Sequence, residues 1–179
     1  MVTTVRTPLY NGWNIIAVPY NTAGVNPGTL FGTPVSAIYQ WVPSGATAES
    51  SNTQLGSYVT VSNIAPGLGY FAKASSSSTL LAYTGTAAPA TNTLTLKPGW
   101  TMIANPGTTN KTGIATNWLI DGAPLSEAIT GTKIGGAVYW WNGTTYDSWT
   151  IMGDNPQIEP WKGYWIVNIE SVNHTLTIQ

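Results

Sequence analysis

Cysteine is absent from the 179 residues. That excludes disulfides, thiolate metal sites and cysteine nucleophiles together. Charge is scarce as well: six Lys or Arg and seven Asp or Glu make up 7% of the chain, against about 25% in an ordinary soluble domain. The net charge is −1 and the basic residues are scattered, so the electrostatic requirement for nucleic-acid binding is unmet. The same scatter gives no attraction to an anionic membrane surface. No apolar run approaches the ~20 residues of a membrane span, so membrane insertion is not expected. There is no Gly-rich phosphate loop with its Lys, and no Gly-x-Ser-x-Gly elbow. Histidine occurs once, at His174 near the end of the chain. It reads as an exposed strand-end residue, since zinc needs further ligands and a triad needs a nucleophile. Met1-Val2-Thr3-Thr4 has neither a basic stretch nor an apolar stretch behind it, so it is not a secretion signal. The expectation is a mature terminus bearing an added Met.

Thr, Ser, Asn and Gly fill the polar positions instead. Aromatic residues reach 11%, with nine Trp, which argues for a packed fold and against disorder. The length suits one large or two small domains. A chain of this size buries roughly 70% of the surface its unfolded form exposes.

One short stretch occurs twice. Gly12-Trp13-Asn14-Ile15-Ile16-Ala17-Val18-Pro19 opens the first half, and Gly99-Trp100-Thr101-Met102-Ile103-Ala104-Asn105-Pro106 opens the second, 87 residues later. Each copy reads as turn glycine, strand, then a proline that ends the strand. Ala37-Ile38-Tyr39-Gln40-Trp41 matches Ala137-Val138-Tyr139-Trp140-Trp141. Val59-Thr60-Val61 matches Trp149-Thr150-Ile151. Ile64 to Phe71 matches Ile158 to Trp165, and Thr79-Leu80 matches Thr175-Leu176. Order is preserved while loop lengths differ, as in two copies of one unit. The boundaries fall at 1–86 for the first β repeat, 87–93 for a small-residue linker and 94–179 for the second. Stretches 21–33 and 43–52 read as polar loops. The second copy gains residues between Asn110 and Lys133, where short helical pieces are expected. Gly69 and Gly163 recur in the paired turns and are expected to hold positive φ, whereas Gly67 is replaced by Trp161.

The pattern Gly-Trp-Asn-x-Ile-x-x-Pro, then an aromatic strand, then Pro-Gly-x-Gly-Tyr-aromatic, resembles a repeat module of bacterial secreted and cell-surface proteins. Such modules sit in tandem in adhesin-like and S-layer-like proteins. The resemblance covers almost the whole chain, once per half, and departs at Thr101 and Trp161. It implies a β-rich extracellular domain and carries no catalytic residues.

Among the seven acids, Asp147 and Asp154 flank one loop beside Trp149. Glycoside hydrolysis needs two carboxyls ~5–10 Å apart, but two solvated loop acids are the simpler reading, so no catalytic residue is assigned. The same pair is the one weak calcium candidate, matching no strict calcium loop; no other cofactor is expected. Trp13, Trp100, Tyr70 and Tyr164 recur with strand periodicity and read as core. Trp140 points away from core-like Trp141, because neighbours on a strand face opposite ways. Trp140, Trp149 and Trp161 are therefore the expected exposed aromatic strip for ligand or partner contact. The alternative is that they fill the junction between the repeats.

The expected fold is all-β: two tandem sandwich- or barrel-like repeats with a short helical insertion in the second. The expected function is a non-enzymatic extracellular structural or adhesive module at the cell surface. Its partners are further copies of itself or a surface glycan. A carbohydrate-binding module and a virion or phage structural protein are the alternatives.

Overall fold

A computed structural model describes residues 1–5, 8–21, 30–31, 35–44, 56–77, 82–89 and 91–179. Most of the expected loops at 21–33 and 43–52 lie outside these residues. The fold is all-β. The first half contributes β1 (Val2–Val5), β2 (Gly12–Ile16), β3 (Val35–Pro43), β4 (Gly56–Thr60), β5 (Tyr70–Ala74) and β6 (Ala82–Gly85). The second contributes β7 (Asn92–Leu96), β8 (Gly99–Ala104), β9 (Leu119–Ile120), β10 (Ala123–Pro124), β11 (Ala137–Trp141), β12 (Tyr146–Thr150), β13 (Gly163–Asn168) and β14 (His174–Ile178). Two short helices, α1 (Ile114–Asn117) and α2 (Leu125–Thr130), flank β9 and β10. None of the described helices is long and apolar enough to cross a membrane.

The two halves pair their strands alike. Four-stranded sheets run β2-β5-β3-β4 and β8-β13-β11-β12, and β1-β6 corresponds to β7-β14. Every pair is antiparallel. The insertion between β8 and β11 adds β9 and β10 to the β7-β14 edge. Its helix α2 buries Leu125 and Ala128, which stand three residues apart on one helix face. Register also corrects the sequence match at β4. Trp41 pairs Tyr58 and Trp141 pairs Tyr146, so Tyr58 corresponds to Tyr146, two residues away from the match based on Val59 and Trp149. A slip of two keeps side chains on the same face, and hydrophobic pattern alone does not detect it.

Each half has its own core. Ile16, Val18, Ile38, Tyr70 and Ala72 belong to the first, and Ile103, Val138, Tyr164, Ile166 and Leu176 to the second. The paired turns carry tyrosine corners: the Tyr70 hydroxyl accepts from the Ala65 N–H at 2.9 Å, and that of Tyr164 from the Glu159 N–H at 3.0 Å.

The halves are interlocked reciprocally. The Ala17 N–H donates to Trp161 O at 2.9 Å, and the Ala104 N–H to Gly67 O at 2.8 Å. Ile16 bridges Lys162, and Ile103 bridges Leu68. Gly69 and Gly163 meet where these crossings approach each other. A Cβ on Gly69 would lie 3.2 Å from Gly163 Cα, and one on Gly163 would lie 3.1 Å from Gly69 Cα. Close approach, not positive φ, is what these glycines serve. The positive φ falls two residues earlier, at Gly67 (82°) and Trp161 (67°). The linker is tied down too: Asn92, which opens β7, donates from Nδ2 to Pro66 O at 2.8 Å.

Candidate functional site

The sheets β2-β5-β3-β4 and β8-β13-β11-β12 carry apolar side chains on both faces, and that creates the site. On β3, Ile38 enters the first core while Tyr39 and Trp41 point to the other face. On β11, Val138 enters the second core while Tyr139 and Trp141 point to the other face. These second faces meet around buried Ile15, Met102 and Trp165. Antiparallel register sets Phe71 beside Tyr39 and Trp165 beside Tyr139. Five aromatic positions thus recur: Trp13 with Trp100, Tyr39 with Tyr139, Trp41 with Trp141, Tyr58 with Tyr146, and Phe71 with Trp165.

Between the sheets these rings line two hollows. The first, of about 440 Å³, is lined by Trp41, Tyr58, Trp100, Tyr139, Tyr146 and Trp165. The second, of about 480 Å³, is lined by Trp13, Tyr39, Tyr58, Phe71, Trp141 and Tyr146. Exchanging each residue for its counterpart converts one list into the other. Both halves build each hollow, and Tyr58 and Tyr146 are common to both. Together they form one cleft with pseudo-two-fold symmetry. Trp13, Tyr58 and Tyr146 are 44%, 51% and 45% exposed, so the cleft opens to solvent.

Ring against ring, the packing is edge to face. Trp41 meets Tyr58 at 5.0 Å, Trp100 meets Tyr139 at 5.5 Å, and Trp141 meets Tyr146 at 5.1 Å. Such contacts are favourable because a positive ring edge meets a negative face. They hold exposed aromatics in place without a covering layer. The Trp41 Nε1–H donates to Trp100 O at 2.9 Å, fixing a ring of one half on the backbone of the other. The counterpart donor, Trp141 Nε1, is buried with no hydrogen-bond partner among the described residues. Burial raises the Tyr146 phenol, an effect that the neighbouring Trp165 indole N–H partly offsets. Phe71 brings no such donor to the other hollow. Burial and the neighbouring Tyr146 push the Tyr58 phenol up. Both rings therefore remain neutral at ordinary pH. Lys73, cross-strand from Trp13, places Nζ 5.8 Å from its ring centroid. Val167 takes that position opposite Trp100.

The expected strip of Trp140, Trp149 and Trp161 does not form. Trp161 is 2% exposed and packs in the first core, 5.8 Å from Tyr20 and 6.1 Å from Phe31. Its turn crosses to the other half, so a turn position that reads as solvent-facing is covered. Trp140 and Trp149 stack on each other at 3.9 Å, half-buried against the second core. The expected core residues Trp13 and Trp100 instead line the cleft, while Tyr70 and Tyr164 are buried as expected.

Asp147 and Asp154 brace separate turns. Asp147 accepts from Asn142 Nδ2 at 2.8 Å. Asp154 accepts from the Thr150 N–H at 2.7 Å and the Thr150 hydroxyl at 2.9 Å. Among the described residues, no cluster of three His, Asp or Glu groups is placed to hold a metal ion. His174 is not exposed: it is 4% accessible, with Nδ1 2.6 Å from Asp121 and Nε2 2.8 Å from Glu170. The Thr175 N–H and His174 hold the Asp121 carboxyl below its ordinary value.

The cleft leaves only a faint mark on the sequence. Its available signal was aromatic alternation at Tyr39 and Trp41, repeated at Tyr139 and Trp141, which places two rings on one strand face. Comparison with protein-family models, with curated proteins and with solved structures gives no match.

Proposed function

We propose that the chain is a non-enzymatic, extracellular adhesive module and that the aromatic cleft is its contact surface. The observation that carries this reading is the duplicated set of cleft rings, partly exposed and held in place by both halves. Exposed Trp and Tyr cost little conformational entropy on binding and bring large contact areas, which suits adhesion. Scarce charge and abundant Thr, Ser and Asn are consistent with an extracellular setting. The described lining residues are all aromatic, and none of them is a general acid or base suited to hydrolysis at neutral pH.

The test is co-sedimentation of the full chain with cellulose, chitin, peptidoglycan sacculi and phosphatidylcholine vesicles. Retention on at least one surface is expected. The triple variant Trp13→Ala, Tyr58→Ala, Tyr146→Ala should lose it, while Met152→Ala, exposed outside the cleft, should keep it. No retention on any surface, or equal retention of the triple variant, contradicts the reading.

A second reading, a subunit of a filament, surface lattice or virion, draws on β4. This sheet edge exposes Ser57 to Thr60 without a charged residue, and such edges pair readily with another chain. Light scattering over a concentration series tests it. Growing assemblies support that reading, and a constant monomer mass counts against it.

A further inference from the structure

The cleft is shaped as two cages. In the first, Trp165 forms a floor that Trp41 meets at 82° and 5.7 Å, and Trp100 at 85° and 6.4 Å. In the second, Phe71 takes the floor position, met by Trp13 at 90° and 6.0 Å and by Tyr58 at 85° and 5.3 Å. Rings set at right angles can turn several π faces toward one volume. Each face carries negative potential, so a cation placed there is attracted by several rings at once.

Among the described residues, neither lining includes a carboxylate, an amide or a guanidinium. A sugar buried there would find only tyrosine hydroxyls for its many hydroxyl groups, and an ammonium bearing several N–H groups would find only those same phenol oxygens as side-chain acceptors. A quaternary ammonium needs neither, because its charge is spread over methyl groups with no N–H to satisfy. The molecule contains its own precedent in Lys73, whose Nζ lies over the Trp13 ring. Trp100, with Val167 opposite it, has no such neighbour among the described residues. The first cage is thus open to an external cation, and the second is partly satisfied from within.

Resting on the adhesive reading of the cleft, we infer that its two cages bind quaternary ammonium groups, with the trimethylammonium head of choline as the fitting ligand, and that the first cage binds it more tightly. Two cages sharing Tyr58 and Tyr146 also suit a surface that carries many such groups, since the second contact becomes intramolecular. Neutral phenols at Tyr58 and Tyr146 make this attraction independent of pH below the ordinary tyrosine range.

The test is titration of the full chain with choline and with its neutral isostere, in which a tert-butyl group replaces trimethylammonium, read on indole N–H resonances. Choline should shift the signals of Trp41, Trp100 and Trp165. The isostere should bind at least about tenfold more weakly, the equivalent of about 1.4 kcal/mol. Replacing tryptophan biosynthetically by fluorinated analogues drains the π faces while preserving shape, and should weaken choline binding progressively with circular dichroism unchanged. Lys73→Met should strengthen binding at Trp13 and Trp141. Equal binding of the two probes, no shift with choline, or indifference to fluorination overturns the ligand class. Those results leave the adhesive reading to be decided by surface retention of the Trp13, Tyr58 and Tyr146 variant. Choline binding with the cage indoles unmoved overturns the inference as well.

Discussion

Alanine at Gly163 should separate the halves enough to be measured. A Cβ there would lie 2.5 Å from Ile15 Cγ2, 3.0 Å from Ile16 O and 3.1 Å from Gly69 Cα. Two of these three neighbours are backbone, and the third belongs to a β-branched side chain with restricted χ1. Neither kind gives way easily. Overpacking of this type costs about 1–3 kcal/mol, and the rigid surroundings put Gly163→Ala near the upper end. Replacing glycine also removes unfolded-state entropy, which returns about 0.4–1 kcal/mol. The net loss is then about 2 kcal/mol, or about 4–8 °C in Tm for a chain of this size. Gly69→Ala meets no atom nearer than 3.0 Å, so its net loss should be smaller. Because both Cβ atoms enter one gap, the double variant should cost less than the sum of the singles by about 0.5 kcal/mol or more. Urea unfolding of the three variants measures all of this. A neutral or stabilising Gly163→Ala, or strict additivity, would refute the shared close approach.

Three further predictions concern other parts of the frame. Asn105, fully buried, donates from Nδ2 to Thr109 O at 2.7 Å and Ile158 O at 2.9 Å, and accepts from the Gly107 N–H at 2.7 Å; Asn105→Ala should cost about 2–3 kcal/mol in urea unfolding. The Asp121 carboxyl is held below its ordinary value of 3.8, so its stabilising contribution is complete above that value and disappears as pH falls through the folded one. Asp121→Asn should accordingly flatten the acid limb of stability against pH, and an unchanged limb would contradict the role of the Thr175 and His174 contacts. Burial raises the Tyr164 phenol well above its ordinary 10.0, so its contribution holds below pH 10 and is lost as pH rises beyond it. Tyr164→Phe should cost about 1 kcal/mol at neutral pH and soften the alkaline limb, both visible in unfolding midpoints.

The duplication was legible because turn glycines, strand alternation and terminating prolines leave local marks. Its consequences were not local. Which face of β3 and β11 is covered depends on the partner sheet, so Trp41 and Trp141 read as ordinary core. Trp13 and Trp100 did too, for the same reason. Trp161 sits in a turn, and turns usually face solvent. Only the crossing of that turn into the other half explains its burial and why a bulky residue is kept at positive φ. Gly69 and Gly163 were recognisable as constrained positions, but periodicity does not distinguish positive φ from close contact. The β4 slip has the same origin, since a two-residue offset preserves every face.

Oxidative footprinting of the free and surface-bound chain would locate the contact surface residue by residue. On a surface that retains the protein, Trp13, Tyr58 and Tyr146 should become protected while Met152 keeps its reactivity. Protection of Met152 with those three rings unchanged would place the contact surface elsewhere and contradict the account.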